Sequence, residues 1–385
     1  MSLSGNWNFP TAVRFGPGRI AELPSICREL GMSRPLLVTD RGLAELEITT
    51  RTLALLVEAD LGAALFSGAT ANPVGADVDA GVVAYRAGQH DGVVAFGGGS
   101  ALDVGKAVAL MVGQTRPMWD FEDVGDNWTR VNAAAMAPVV AVPTTSGTGS
   151  EVGRCSVIVN PAEQRKIVVF HAKMMPARVL ADPELTVGLP RSITVGTGMD
   201  ALVHNLEALC APGFHPQAEG IALEGMRLVQ LGLRRAAADG TDIEARSWMM
   251  AASLMGATSF QKGLGGVHAM SHPVGAHLHT HHGLTNAVFL PYVMVRNRDA
   301  IGEPMARLAR YLGIGDGFDA VLDWVLSLRE DLGVPHTSDA LGFTQQMAGP
   351  LAAEAVVDPT ASTNPIPLTA LDYEQLYLAA LAGRL

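Results

Sequence analysis

Six of the eleven histidines fall in one stretch, GLGGVHAMSHPVGAHLHTHHGLTNAVFLP, from Gly263 to Pro291: His268, His272, His277, His279, His281 and His282. Neutral imidazole is the commonest transition-metal ligand near neutral pH, so this density points first to a metal. Polar filler on a surface loop and a satisfied core histidine are the competing readings of the stretch alone. Upstream, SITVGTGMDALVHNLEA (192–208) sets Asp200 and His204 four apart on a helical pattern, which projects both from one face. A carboxylate and an imidazole so placed are workable ligands, although an acid–histidine contact on a solvated helix explains the pair equally well. His268 and His272 repeat the spacing, and His282 precedes Gly283. Asp200, His204, His268 and His282 together offer one carboxylate and three imidazoles, with room for a substrate oxygen. That mixed set suits Fe(II) or Zn(II) better than the hard ions Mg(II) and Ca(II).

Two further motifs have the chemistry of phosphate cradles. Gly97-Gly98-Gly99-Ser100 follows the apolar run GVVAF and opens a helical pattern, where bare amides and a helix N-terminus attract an anion. Thr144-Thr145-Ser146-Gly147-Thr148-Gly149-Ser150 likewise follows the run PVVAVP. Neither is the spaced-glycine dinucleotide fingerprint, and a tight turn is the plain alternative for the first. Asp40 closes PLLVTD and could accept hydrogen bonds from ribose hydroxyls. Its charge would repel a 2′-phosphate, which favours NAD over NADP; a helix N-cap is the compatible structural reading.

The elements that must position these groups follow from periodicity. FPTAVRFGP, PLLVTD (35–40), AALFSG (63–68), GVVAF and PVVAVP read as strands. Helices are expected over Arg19–Leu30, Arg41–Leu56, Gly75–Ala87 and Ala101–Met111. The alternation predicts a parallel α/β sheet covered on both faces. After about Asp182 helical periods dominate: Thr194–Cys210, Ala218–Ala237, Asp242–Ser259, Gly302–Leu312 and Phe318–Leu332. The boundary falls in ADPELTVGLP (181–190). We expect an α/β domain over residues 1–185 and an all-α domain over 186–385, with a site between them.

Composition narrows the function classes. A chain of 385 residues exceeds the ~250–300 at which single cores stop growing. With 48% hydrophobic and 17% charged residues it is globular, and a net charge of −11 without any basic run argues against nucleic acid. Cys27, Cys155 and Cys210 are few and odd in number, as in reduced thiols. With no leader pattern and no apolar run of ~18 residues, the expectation is a cytoplasmic protein without membrane partners.

Taken together, GGGSALDVGK (97–106), PTTSGTGSE (143–151), TGMDALVHNLEA (197–208), GVHAMSHPVGA (266–276), HHGLTNAVFLP (281–291) and NPIPLT (364–369) resemble the iron-containing (group III) alcohol dehydrogenase family over nearly the whole chain. The resemblance implies an α/β N-terminal dinucleotide-binding domain, an all-α helical C-terminal metal-binding domain and catalysis in the cleft between them. It places the metal ligands on Asp200, His204, His268 and His282, and an additional active-site histidine on His272, the candidate proton shuttle. Cofactor contacts fall on Asp40, Gly97, Gly98, Gly99, Ser100, Asp103, Thr144, Thr145, Thr148 and Lys166. The implied activity is NAD(H)-linked, metal-dependent dehydrogenation of a short-chain alcohol or hydroxy-aldehyde. NAD is the implied cofactor, Fe(II) the implied metal with Zn(II) as alternative, and a homodimer or higher homo-oligomer the implied assembly.

The sequence departs from its relatives at His281, where they usually carry proline, and at Val203, where threonine is frequent. His277, His279 and His281 are left to pocket lining, loop surface or competing ligation; Phe260, His277 and Trp248 are candidates for the substrate pocket. Three other readings compete: a metal-independent maleylacetate-type reductase, a glycerol dehydrogenase-like zinc enzyme, and a non-catalytic metal- or NAD-binding protein. Four intact ligands weigh against the first, the TGMDALVH and HAMSHP motifs against the second, and intact ligands beside intact phosphate loops against the third.

Overall fold

Residues 9–163 and 165–385 are described by a computed structural model, in which two compact units are distinguished. One comprises Phe9–Thr145 and Gly149–Val187; the other comprises Ser146–Thr148 and Gly188–Leu385.

In the first unit strands and helices alternate: β1 (Val13–Phe15), α1 (Leu23–Glu29), β2 (Pro35–Asp40), α2 (Glu47–Glu58), β3 (Ala64–Ala69), α3 (Gly75–Ala87), β4 (Gly92–Gly97), α4 (Gly99–Met111) and β5 (Val139–Pro143). β6 (Cys155–Asn160), β7 (Arg165–Phe170) and β8 (Arg178–Ala181) complete it. Six strands form a parallel sheet in the order β1-β8-β5-β4-β2-β3. Leu36–Val38, Val93–Phe96 and Val139–Val142 are buried at every position. Strands covered on both faces need continuous apolar runs, and the β-branched valines suit the pleat. Register then brings the candidate cofactor residues together. Val38 pairs with Ala95 and Gly97 with Pro143, so β2, β4 and β5 end at one carboxyl edge and deliver Asp40, Gly97–Gly99 and Thr144 side by side.

The structure departs from the expectation in several elements, among them strand β8 and the later helices Ala348–Ala355 and Ala370–Ala382, which were not expected. Arg41–Leu46 is a turn and α2 begins only at Glu47, because Asp40 Oδ1 accepts from Leu43 N (3.0 Å) and its side chain offers the backbone an alternative to helix. The hairpin β6–β7 was not anticipated. It is antiparallel, pairs Ile158 with Ile167, and alternates buried with half-buried positions along β6, as a sheet with one packed face requires.

The second unit is helical: α5 (Arg191–Cys210), α6 (Pro216–Ala238), α7 (Ile243–Ser259), α8 (Gly266–Leu278), α9 (His282–Arg296), α10 (Arg298–Leu312), α11 (Gly317–Leu332), α12 (Ala348–Ala355) and α13 (Ala370–Ala382). From Thr194 to Leu209 every residue of α5 except Thr197 is buried. A helix wrapped on all sides is apolar all round, and the polar residues it does carry must find partners inside. The buried ones are Thr194, Asp200, His204, Asn205 and Glu207. Pro273 lies inside α8 and Pro291 inside α9, which is why periodicity alone drew no helix limits there. Among the described residues no helix is long and apolar enough to cross a membrane.

Candidate active site

The cluster grows from the i, i+4 spacing of Asp200 and His204 on α5. His268 comes from the first turn of α8 and His282 from the first residue of α9. The start of α9 lies tightly against α5: a Cβ at Gly283 would sit 2.0 Å from Gly196 O and 2.9 Å from Asp200 Cβ. Only glycine admits so close an approach. Three imidazole nitrogens therefore converge on one carboxylate oxygen. Asp200 Oδ1 is 3.5 Å from His282 Nε2, 3.8 Å from His204 Nε2 and 3.9 Å from His268 Nε2. Donor atoms of Asp200, His204 and His268 all lie within 4.8 Å of one another, and all three residues are buried. The His204 and His268 rings stack at 4.9 Å and 12°.

Around this cluster nearly every polar atom has a partner. Asn286 Nδ2 donates to Asp200 Oδ1 (2.8 Å) and lies 3.2 Å from Nε2 of both His268 and His282. Ser271 Oγ donates to Asn286 Oδ1. Glu207 Oε1 accepts from Val267 N (2.7 Å), and its Oε2 lies 2.6 Å from His268 Nδ1. His204 Nδ1 lies 3.3 Å from Gly147 O. Burial opposes ionisation of Asp200, yet the imidazoles of His204, His282 and His268 and the Asn286 amide hold its carboxyl below the ordinary range. Burial, reinforced by His204, keeps His268 well below the usual imidazole value. An ionised Asp200 beside a His268 kept neutral is what a metal site needs of those two residues, and the set of one carboxylate and three imidazoles fits a first-row divalent ion.

His272 projects one turn beyond His268. Its Nδ1 lies 2.8 Å from Asp358 Oδ2, and Asp358 Oδ1 accepts from Thr360 N (2.9 Å) and Oγ1 (2.5 Å). The His272 ring stacks on His282 at 5.5 Å and 14°. Phe260 presents its edge to His204 at 5.2 Å. The remaining histidines have other surroundings. His277 pairs with Glu354 at an exposed position (2.8 Å), His279 ends α8 in the left-handed conformation, and His281 caps α9 by accepting from Leu284 N (3.4 Å). Trp248 lies beneath the Arg235 guanidinium, 4.8 Å from its ring.

In the α/β unit the loops are tied together through Thr144 N, which donates to Gly97 O (3.0 Å). Gly97 has φ +143°, and a Cβ there would meet Ala101 Cβ at 2.7 Å. A Cβ at Gly98 would reach the Thr145 side chain at 3.3 Å. Thr144 Oγ1 is buried without a hydrogen-bond partner, a hydroxyl available to a ligand. A bare-amide cradle with a waiting hydroxyl fits a pyrophosphate. Asp40 Oδ2 would lie 3.5 Å from that same Gly97 Cβ, which puts its carboxylate beside the cradle. Asp103 acts as a clasp within the unit: Oδ1 accepts from Ser150 Oγ (2.5 Å) and Oδ2 from Val157 N (3.0 Å). Ser100 Oγ donates to Ala71 O (2.6 Å), and Lys166 lies on β7, where burial lowers its ammonium pKa against the pull of Asp103. Thr148 is exposed and belongs with the helical unit.

The family described as iron-containing alcohol dehydrogenase matches residues 10–183, and the C-terminal part of the Fe-containing alcohol dehydrogenase family matches residues 194–381. The chain belongs to the iron-containing alcohol dehydrogenase family. This dehydrogenase is 38% identical to the 4-hydroxybutyrate dehydrogenase of Cupriavidus necator over 375 residues, covering 95% of this chain and 97% of the relative. Its structure is similar to the crystal structure of a 1,3-propanediol oxidoreductase (TM-score 0.93, 32% identity, 98% of this chain and 99% of the other). It is also similar to the sulfoacetaldehyde reductase of Bifidobacterium kashiwanohense in complex with NAD+ (TM-score 0.90, 28% identity, 98% and 99%). The enzyme is accordingly an NAD-linked oxidoreductase acting on CH–OH groups, of a family that uses a metal.

Four residues around the cluster escaped the sequence reading: Glu207, Ser271, Asn286 and Asp358. Three carried a usable signal. Glu207 is seven residues after Asp200, Ser271 three after His268 and Asn286 four after His282, all spacings that share a helix face. Asp358 carried none, being 86 positions from the histidine it touches.

Proposed function

We propose that this chain is a cytoplasmic, homodimeric dehydrogenase that interconverts a short-chain alcohol or hydroxy-aldehyde with its oxidised or reduced partner, using NAD(H) and Fe(II), with Zn(II) as the alternative ion. The convergence of three imidazole nitrogens on Asp200 Oδ1 carries this reading. Asp200, His204, His268 and His282 would hold the metal. When bound, the metal supplies Lewis-acid activation of the substrate oxygen and the nicotinamide supplies the hydride acceptor or donor. Gly97, Gly98, Gly99, Ser100, Thr144, Thr145 and Thr148 line the loops that would receive the cofactor's phosphates, with Asp103 bracing them and Lys166 toward the adenosine end. Asp40 selects against a 2′-phosphate.

The chain's own groups manage the proton. With Nδ1 donating to Asp358, His272 keeps Nε2 as the nitrogen that takes the proton from the alcohol and returns it in reduction. Phe260 packs against the His204 ring and would keep water from that residue. The substrates named for the relatives, 4-hydroxybutyrate and 1,3-propanediol, make a short alcohol bearing a polar far end the first choice.

The test is NAD reduction with 4-hydroxybutyrate, 1,3-propanediol and unsubstituted short alcohols, and NADH oxidation with the matching aldehydes. Each is run before and after chelation, with Fe(II) or Zn(II) returned. Turnover that disappears on stripping and returns with one ion supports the reading and names the metal. Turnover indifferent to chelation would move the protein to the metal-independent reductases.

A further inference from the structure

Glu207 lies two helical turns from Asp200 and three residues from His204, so α5 carries two expected ligands and this carboxylate on one buried flank. Its two oxygens face different donors. Oε1 accepts from the amide of Val267, the second residue of α8, where helix N–H groups lack intrahelical partners. Oε2 lies 2.6 Å from His268 Nδ1. The opposite nitrogen of the same ring, Nε2, faces the cluster: 3.9 Å from Asp200 Oδ1 and 3.2 Å from Asn286 Nδ2.

We propose that Glu207 is a positioning residue of the metal centre, which accepts the Nδ1 proton of His268 while clamping the first turn of α8, so that His268 Nε2 retains its lone pair and its aim. The proposal rests on His268 being a ligand. A second contact indicates the same tautomer independently. Ionised Asp200 can only accept, so the Asn286 amide nitrogen must face it. That nitrogen also borders His268 Nε2, where an N–H would oppose it and a lone pair welcomes it. A carboxylate behind a ligating imidazole fixes the ring and strengthens its donor nitrogen, and such partners change metal affinity by roughly 10–100-fold.

Glu207→Gln is nearly isosteric but carries one acceptor and one donor end. If its oxygen keeps Val267 N, its amide nitrogen confronts His268 Nδ1 and drives the proton to Nε2, removing the ligand. If it turns, the α8 amide loses its acceptor. The experiment is competition of Zn(II) and Co(II) against a chromophoric chelator, with the Co(II) visible spectrum and the metal-free unfolding midpoint recorded alongside. The unsubstituted protein, labelled with 15N-histidine and loaded with Zn(II), gives a separate readout in long-range 1H–15N spectra.

The expected results are a 10–100-fold weaker affinity in Glu207→Gln, an altered Co(II) spectrum, a nearly unchanged metal-free midpoint, and His268 protonated at Nδ1 with Zn(II) at Nε2. Unsubstituted protein that binds no stoichiometric metal would remove the underlying reading of the site. Stoichiometric binding with equal affinity in both proteins, or Zn(II) on His268 Nδ1, would overturn the role of Glu207 while leaving the metal site standing. Should Glu207→Gln fail to fold, the 15N spectrum of the unsubstituted protein decides alone.

Discussion

The histidine cluster and the glycine–threonine loops would meet polar ligands with different parts of the chain. At the cluster the chemistry lies in side chains held on α5, α8 and α9, and most have a second partner: Asp200 with Asn286, His268 with Glu207, His272 with Asp358. At the loops it lies in backbone amides and hydroxyls at a sheet edge, where glycine is needed for its conformation and its missing Cβ. The first region should be intolerant of changes in side-chain chemistry, the second of changes in backbone freedom.

The sharpest way to break that contrast is Asp200→Ala, which removes the oxygen on which three imidazoles converge. We expect loss of stoichiometric metal, measured by plasma emission, and a fall in kcat/KM on the order of 10³-fold, with NADH binding retained. Retained metal would mean that the imidazoles suffice.

Each unit also holds a buried glutamate whose carboxyl burial lifts to about 7: Glu207 beside the cluster and Glu151 after the threonine loop. Glu207 is held by Val267 N and His268, whereas around Glu151 only its own amide and Lys106 oppose the lift. Below the unfolded value of 4.5 both states of Glu151 are protonated, and the burial has no pH-dependent cost. Between 4.5 and about 7 the unfolded chain gives up its proton while the folded protein keeps it. Stability therefore falls as pH rises through that window and levels off above it. Glu151→Gln should remove the Glu151 contribution to this slope, gaining up to ~3 kcal/mol over the unsubstituted protein at pH ~8 relative to pH ~5 in urea unfolding, with the contribution of Glu207 left in place. Parallel curves would show that Glu151 ionises freely.

Gly97→Ala tests the loop. An alanine at φ +143°, with its Cβ 2.7 Å from Ala101, should cost about 1–3 kcal/mol of stability and raise the KM for NAD roughly tenfold, with metal content unchanged. A matching loss of metal would make the two regions one cooperative site. The smallest effect expected is that of Asp40→Ala, a shift of roughly tenfold toward NADP in kcat/KM, read from both cofactors under the same conditions.

The fold was legible where burial writes itself into local pattern. PLLVTD, GVVAFG and VVAVP could only be strands covered on both faces, and Gly75–Ala87 was bounded correctly by its turn and period. It was less legible where side chains compete with the backbone, as at Asp40, or where one face of a short hairpin alternates, as in Cys155–Asn160. In the site, helical spacing reveals Asp200 with His204 and would have revealed Glu207, Ser271 and Asn286. The excess histidines show the limit of that signal: His277 and His281 have the composition of ligands but serve a surface contact with Glu354 and a helix cap.

What the sequence by itself determined was the family and the α/β-then-helical order of the fold, and it supplied the candidate donors, because these depend on residue type at short, regular spacing. Tertiary structure alone decided which donors on different helices meet. His282 reaches Asp200 only because Gly283 lets α9 pack against the backbone of α5, and His272 finds Asp358 across 86 residues. Such contacts depend on the three-dimensional packing of whole helices, and no local spacing encodes that distance.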